Sequence, residues 1–108
     1  MSEFTDEKYE LYRNYQDQYK LRSVWSMYNV ENLDAFSGIV ADELVYRNHW
    51  GDKPVHIPLR KGDVTWGELY HAADKAIRQS GDDHHVFIER LTVHQGPNGP
   101  YVELDTGS

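Results

Sequence analysis

Apolar residues recur along the first quarter of the chain at helical spacing. No Gly or Pro interrupts residues 5–29, and the spacing predicts a helix there. Its apolar stripe is formed by Leu11, Tyr12, Tyr15 and Tyr19. Residues 21–30 can also be read as alternating, which leaves a strand open as the alternative. Asn32 or Asp34 can cap a second, short helix that extends to about residue 41.

The middle of the chain changes to a period of two. This alternation predicts strands at residues 44–50 and 55–59, joined as a hairpin by a Gly-Asp-Lys-Pro turn. Pro54 and Pro58 mark the second of these strands as the edge of a sheet, because proline cannot donate to a strand ladder.

Residues 65–80 carry a complete set of helix signals. Thr65 and Glu68 form a T-x-x-E capping box, and an apolar stripe follows at helical spacing. Gly81 stands where a left-handed C-terminal cap belongs. The sequence therefore predicts a helix that ends at Ser80.

The last quarter predicts a hairpin. A long strand at residues 84–94 and a returning strand at 101–105 flank a Gly- and Pro-rich loop at 96–100. The predicted order is α-α-β-β-α-β-β, and helices segregated from an antiparallel sheet define an α+β fold. We expect residues 1–108 to form a single domain, because the length suits one core.

Composition excludes several functions. The chain has 11 Lys+Arg against 18 Asp+Glu, a net charge of −7, which argues against nucleic acid as a partner. It has no Cys, and so no thiol chemistry and no disulfide. The longest apolar-looking stretch, residues 35–41, is too short to span a membrane, and the first residues lack the features of a signal peptide. We expect a cytoplasmic protein without a cofactor, since no Gly-rich phosphate loop is present.

One stretch resembles a known superfamily. Residues 25–51 read WSMYNVENLDAFSGIVADELVYRNHWG, with ENLDA at 31–35, ADEL at 41–44 and VYR at 45–47. This pattern resembles the NTF2-like superfamily, in particular its SnoaL-like, ketosteroid-isomerase-like and limonene-epoxide-hydrolase-like branches. The resemblance implies a curved sheet wrapped around helices, with a ligand pocket inside the cone and a homodimer formed through the sheet.

The chain departs from the family at its chemistry. Asn48 stands where the ketosteroid isomerases have a carboxylate base, and Val24 where they have an oxyanion-stabilising Tyr. An amide cannot abstract a proton. Tyr46 and Asn48 match the Tyr-x-Asn pair of the epoxide hydrolases, but residues 103–105 do not match their Arg-x-Asp. Family members also continue for two further strands, so the sheet is expected to be shortened, completed by a partner or truncated.

Aromatic residues are the candidate ligand contacts. Tyr46, Asn48 and Trp50 share one face of a predicted strand, and the resemblance directs that face into the cone. The predicted ligand-binding residues are Trp25, Tyr28, Tyr46, Asn48, Trp50 and Trp66. Ligand sites are mostly apolar with a few polar groups, as this set is. Ordinary core packing explains the same residues.

The six histidines do not form a metal motif. No H-x-x-x-H pair lies on a predicted helix, and His84 and His85 point to opposite faces of a strand. The catalytic candidates are Tyr46, Asn48, His85 and Glu89. Both faces of the strand at 84–94 mix polar and apolar residues, which suggests that another chain covers one of them.

These observations predict a domain that binds a small apolar or amphipathic molecule in an aromatic pocket. The enzymatic alternative is an epoxide hydrolase, isomerase or cyclase in which Tyr46 and Asn48 orient water or substrate. A third hypothesis is a protein-interaction module that uses the Tyr-rich first helix and the last strand, residues 101–105.

Overall fold

The structure is a computed structural model, and it describes residues 6–27, 30, 32–47, 53–60, 62–81 and 85–107. Within these residues it has two helices and seven strands. They are α1 Asp6–Tyr19, β1 Val24–Trp25, β2 Phe36–Val40, β3 Glu43–Tyr46, β4 Val55–Pro58, β5 Asp63–Thr65, α2 Trp66–Ser80, β6 Phe87–Gly96 and β7 Gly99–Gly107.

Seven strands divide into one curled sheet and one ribbon. The five-stranded sheet has the order β1-β6-β7-β3-β4, and β2 pairs with β5 in a separate two-stranded ribbon. β1 runs parallel to β6 and β3 parallel to β7, whereas β3–β4 and β6–β7 are antiparallel. The sheet curls into a half-barrel, and the fold is α+β as predicted. The prediction of an antiparallel sheet is wrong, because β1–β6 and β3–β7 pair in parallel and the sheet is mixed.

The core lies between the inner face of the sheet and α2. Its fully buried large side chains include Trp25, Leu44, Tyr46, Leu69, Tyr70, Ile77, Ile88 and Val102. Aromatic rings supply much of this volume, which compensates for a hydrophobic content of only 39%.

Both predicted hairpins are present. β3 and β4 pair in the register Tyr46↔Val55, and β4 lies at the edge of the sheet. β6 and β7 pair over nearly their whole length, with a register shift between Ile88 and Arg90. This bulge moves the following side chains to the other face of β6, since side chains alternate along a strand. It accounts for the mixed faces seen in the sequence without a covering chain.

The first helix is shorter than the sequence predicts. α1 ends at Tyr19 instead of reaching residue 29, and Lys20 adopts a left-handed conformation with φ 54°. The chain then extends into β1, so the strand alternative holds for Val24–Trp25. Side chains of α2 form hydrogen bonds with the backbone of residues 20–23. These bonds hold the segment in an extended form, so the helix does not continue.

The predicted second helix is a strand. Asn32 Oδ1 accepts a hydrogen bond from the Asp34 N–H at 2.9 Å, but this cap opens a turn rather than a helix. β2 follows and pairs with β5, and Gly38 within it has φ 78°, which a helix cannot contain. The element order therefore differs from the predicted α-α-β-β-α-β-β.

The predicted ends of α2 are confirmed. Thr65 Oγ1 accepts the Glu68 N–H at 3.1 Å, and Gly81 has φ 77° with its N–H bonded to the Arg78 carbonyl. Gly67 N–H donates to the Leu33 carbonyl at 2.6 Å, an approach so close that any Cβ at position 67 would collide with that oxygen. The two caps thus set the length of α2, and the close contact of Gly67 with Leu33 sets the direction in which the chain enters it.

Two prolines close the free edge of β4. The Leu59 N–H bonds to the Asp42 carbonyl across the β3–β4 pair, so odd positions of β4 face β3. Residues 54, 56 and 58 face outward. Two of them are Pro54 and Pro58, which have no N–H. Among the outward positions of residues 54–58, only the His56 N–H remains to pair with another strand.

Restoring backbone N–H groups at positions 54 and 58 should promote association of the protein through the edge of β4. We expect the double variant Pro54→Ala/Pro58→Ala to self-associate more than the wild type, because exposed strand edges with unpaired N–H groups recruit further strands. Light scattering coupled to size-exclusion chromatography over a concentration series measures this. Pro97→Ala, in the β6–β7 turn, is the matched control. Equal association states in all three proteins would contradict the prediction.

Candidate ligand-binding groove

A groove runs between α1 and the β1 edge of the sheet, with a volume of about 700 Å³. We call it the α1–β1 groove. It is lined by Tyr12, Arg13, Gln16, Asp17, Lys20, Leu21, Val24, Trp25 and Phe87. Three separate elements contribute to it, so its position depends on how β1 is held in place.

Trp25 forms the floor of the groove. Trp25 is 1% exposed. The centroid of its indole lies 6.2 Å from that of Trp66, in an edge-on contact, and 5.2 Å from that of Tyr70. The indole Nε1–H donates to the Met27 carbonyl at 3.0 Å, so the one polar atom of the side chain is satisfied. The floor is therefore a fixed aromatic surface.

Asp74 of α2 holds the chain that enters β1. Its Oδ1 accepts hydrogen bonds from the Arg22 N–H at 2.8 Å, the Ser23 N–H at 2.7 Å and the Ser23 hydroxyl at 2.7 Å. Its Oδ2 accepts from Arg78 Nε at 2.7 Å, and a second guanidinium nitrogen of Arg78 donates to the Lys20 carbonyl at 2.9 Å. Side chains four residues apart on one helix face thus bind the backbone of residues 20–23.

The charge state of Asp74 follows from these contacts. Burial raises the pKa of its carboxyl, but the hydrogen bonds from Ser23, Arg78 and Arg22 favour the ionised form and together lower the pKa below its ordinary value. At neutral pH the carboxylate is therefore ionised and accepts all of these donors.

Tyr70 completes the attachment of β1. The N–H groups of Val24 and Ser26 bond to β6, so Ser23 and Trp25 face the opposite edge. The Tyr70 hydroxyl donates to the Ser23 carbonyl at 2.6 Å. Burial, and then the charge of Asp74, raise the pKa of Tyr70, so the hydroxyl stays protonated and able to donate. It takes the place of a neighbouring strand.

The groove combines apolar walls with a charged rim. Leu21 and Val24 are half-buried, and Phe87 is 38% exposed at the sheet side. Arg13 and Lys20 supply positive charge from α1 and its end, and Asp17 lies between them in sequence. The groove therefore carries apolar surface together with side-chain charges of both signs.

The predicted ligand contacts divide into three groups. Trp25 and Trp66 are brought together, although only Trp25 lines the groove. Tyr46 is 1% exposed on β3, and its hydroxyl lies 2.9 Å from Thr106 Oγ1 inside the core. Tyr28, Asn48 and Trp50 lie outside the described residues.

The other catalytic candidates lie apart from the groove. Glu89 occupies the bulge of β6, and its carboxylate contacts Gly107 so closely that a Cβ there would collide with it. His85 precedes β6 and is half-buried. Within the described residues, no group of three or more metal-ligating side chains converges. No helix in the same part of the chain is long and apolar enough to cross a membrane.

Sequence reasoning missed the Tyr70–Asp74–Arg78 series. A signal was present, because Asp74 stands between the apolar positions Ala73 and Ala76 of an otherwise buried stripe and has Arg78 four residues later. A carboxylate at a buried helix position needs donors from elsewhere in the fold. The sequence could have predicted the requirement, but not that the donors come from residues 22 and 23.

The chain was compared with protein-family models, curated proteins and solved structures. No protein-family model, curated protein or solved structure matches it significantly. The NTF2-like resemblance thus remains a prediction, while the α+β class is established by the structure.

Proposed function

We propose that the protein binds an amphipathic small molecule with an anionic end in the α1–β1 groove. The observation that carries the proposal is the groove itself, with about 700 Å³ over a fixed tryptophan floor and cations at its rim. Ligand sites commonly enclose roughly 300–1,000 Å³, and the groove lies within this range. The apolar body of the ligand would contact Trp25 and Phe87, and its anionic group would lie near Arg13 or Lys20.

The two alternative functions have less support. Tyr46, His85 and Glu89 do not line the α1–β1 groove, so the catalytic residues that the enzymatic alternative names in the described part of the chain do not meet a ligand there. The tyrosines of α1 pack onto α2: Tyr15 stacks on Tyr70 at 5.7 Å, and Tyr19 contacts His71 at 4.8 Å. The protein-interaction hypothesis needs a flat, free aromatic surface on α1, and these contacts to α2 do not form one.

Dodecanoate is a suitable probe of the groove. We expect it to bind the wild type in isothermal titration and to raise the melting temperature, because a ligand that binds only the folded state stabilises it. Phe87→Ala should weaken binding about tenfold by removing apolar contact area. Arg13→Gln/Lys20→Gln should weaken it several-fold, and the loss should shrink at high salt.

Phe36→Ala is the matched control, because Phe36 is exposed on β2 and does not line the groove. This variant should bind dodecanoate as the wild type does. Gln16→Trp, which places a large side chain in the groove, should abolish binding while the fold persists by circular dichroism. Absence of binding to the wild type, or an equal loss in Phe36→Ala, would refute the proposal.

A further inference from the structure

A second groove lies on the outer face of the sheet, the face turned away from α2. Its volume is about 520 Å³, and it is bounded by β3, β4 and the turn of the β6–β7 hairpin. Asp42 lines it just before β3 begins, and Arg47 just after β3 ends. The groove therefore has a carboxylate near one end and a guanidinium near the other.

Most charges on this face are already paired. His56 Nδ1 lies 3.0 Å from Glu43 Oε1, and His94 Nε2 lies 3.0 Å from Glu103 Oε1. Further along the same face, Arg90 and Asp105 approach within 3.8 Å. Each of these acidic and basic side chains therefore already has a partner of the opposite kind.

Asp42 and Arg47 differ from those neighbours. Neither side chain forms a hydrogen bond or an ion pair with any residue in the described part of the chain. The Asp42 carboxylate is nevertheless held in position, because it lies directly against Gly99, where a Cβ would collide with it. Two opposite charges thus border the groove without partners among the residues that the structure describes.

The walls between these charges combine apolar side chains with the paired Glu43 and His56. Val45 is 3% exposed and forms the floor, with Pro58 and Tyr101 beside it. Tyr101 is stacked on His94 at 5.3 Å, which fixes its ring. β3 is paired with β4 on one side and β7 on the other, so a ligand here would contact side chains rather than add a strand.

From residue 42 to residue 47 the chain makes five steps, or about 16 Å at the rise of a strand. The reach of the two side chains shortens the gap between their charges. An extended peptide spans roughly 3.3–3.6 Å per residue, so three or four residues fit between the two groups.

We infer that this groove binds a short peptide with free ends, its terminal ammonium at Asp42 and its terminal carboxylate at Arg47. The bipolar charge selects a zwitterion over an anion or a cation, because a ligand with one charge would meet repulsion or no partner at the other end. This site is separate from the α1–β1 groove and does not depend on the function proposed for it.

Trialanine with free termini is the probe, and acetyl-trialanine-amide is its uncharged counterpart. In ¹H–¹⁵N correlation spectra of the whole chain, we expect trialanine to shift the amide signals of Val45, Gly99 and Tyr101 in a saturable manner. Asp42→Asn and Arg47→Gln should each weaken binding about tenfold, since each removes one charged contact. The capped peptide should produce no saturable shift.

Arg90→Gln is the matched control, because it removes a cation from the same face outside the groove. It should leave trialanine binding unchanged. All three substituted side chains are exposed, so folding is expected to persist, and spectra of the free variants verify this. Binding of the capped peptide with equal affinity, shifts confined to other surfaces, or no saturable shift at all would overturn the inference.

Discussion

Replacing Asp74 with Ala is expected to lower the free energy of unfolding by about 3–5 kcal/mol, the usual cost of removing one partner from a buried ionic contact. The substitution leaves the buried N–H and hydroxyl of Ser23, and the partly buried N–H of Arg22, without their acceptor. Small domains have a total stability of roughly 5–15 kcal/mol, so this loss would be a large fraction of the whole. Urea denaturation followed by circular dichroism measures the loss.

Graded variants separate the charge from the hydrogen bonds. Asp74→Asn keeps one acceptor oxygen and should cost less than Asp74→Ala. Arg78→Gln should cost only about 1 kcal/mol, since its side chain is 50% exposed and solvent replaces the lost pair. Asp105→Ala, at an exposed ion pair, is the control and should change stability by no more than about 0.5 kcal/mol. Equal losses in Asp74→Ala and Asp105→Ala would contradict the structural role given to Asp74.

The same contacts make part of the stability dependent on pH. Because the folded-state pKa of Asp74 is lowered, its contribution is fully present above the unfolded-state value of about 3.9 and is lost as pH falls through the folded-state value. The stability difference between wild type and Asp74→Asn should therefore be constant from neutral pH down to about pH 5 and shrink in stronger acid. A difference that grows below pH 4 would contradict a lowered pKa for Asp74, because a group whose pKa is raised in the folded state adds stability as pH falls.

Local signals in the sequence predicted the elements whose reasons are local. The capping box at Thr65 and the Gly81 cap set the ends of α2, and the two-residue period set both hairpins. Prolines at positions 54 and 58 predicted the edge strand, which the structure places at the end of the sheet. Each of these signals depends on residues within a few positions of one another.

The errors concern segments whose conformation is decided by distant partners. Residues 20–25 have helical spacing, but Tyr70, Asp74 and Arg78 bind their backbone in an extended form. Residues 36–40 have helical spacing too, yet they pair with β5. Propensity amounts to a few tenths of a kcal/mol per residue, and a buried charged hydrogen bond exceeds it.

The candidate site shows the same division. The sequence selected Trp25 and Trp66 as ligand contacts; the two rings meet, but only Trp25 lines the α1–β1 groove. Phe87 and Lys20 were not selected, because they reach the groove only through the parallel pairing of β1 with β6 and the left-handed turn after α1. A site assembled from three elements cannot be read from the spacing of residues in any one of them.

Trp25→Ala is the substitution that tests the groove and the core together. It removes a side chain that is 1% exposed, together with its contacts to Trp66 and Tyr70. We expect a loss of about 3–5 kcal/mol in the free energy of unfolding, as for other large aromatic side chains truncated in a core. Denaturant melts measure this loss, and Trp25→Phe should recover most of it, because the ring volume is largely restored while the Nε1–H bond to Met27 is not.

The two variants also differ in what they predict for the ligand. Trp25→Phe retains an apolar floor and should bind dodecanoate within a few-fold of the wild type, whereas Trp25→Ala should lose binding even in the fraction that remains folded. Trp66→Ala is the matched control, because Trp66 contacts Trp25 but does not line the groove. If Trp25→Ala stayed folded and bound dodecanoate as Trp66→Ala does, Trp25 would be a core residue alone, and the ligand would lie elsewhere on the molecule.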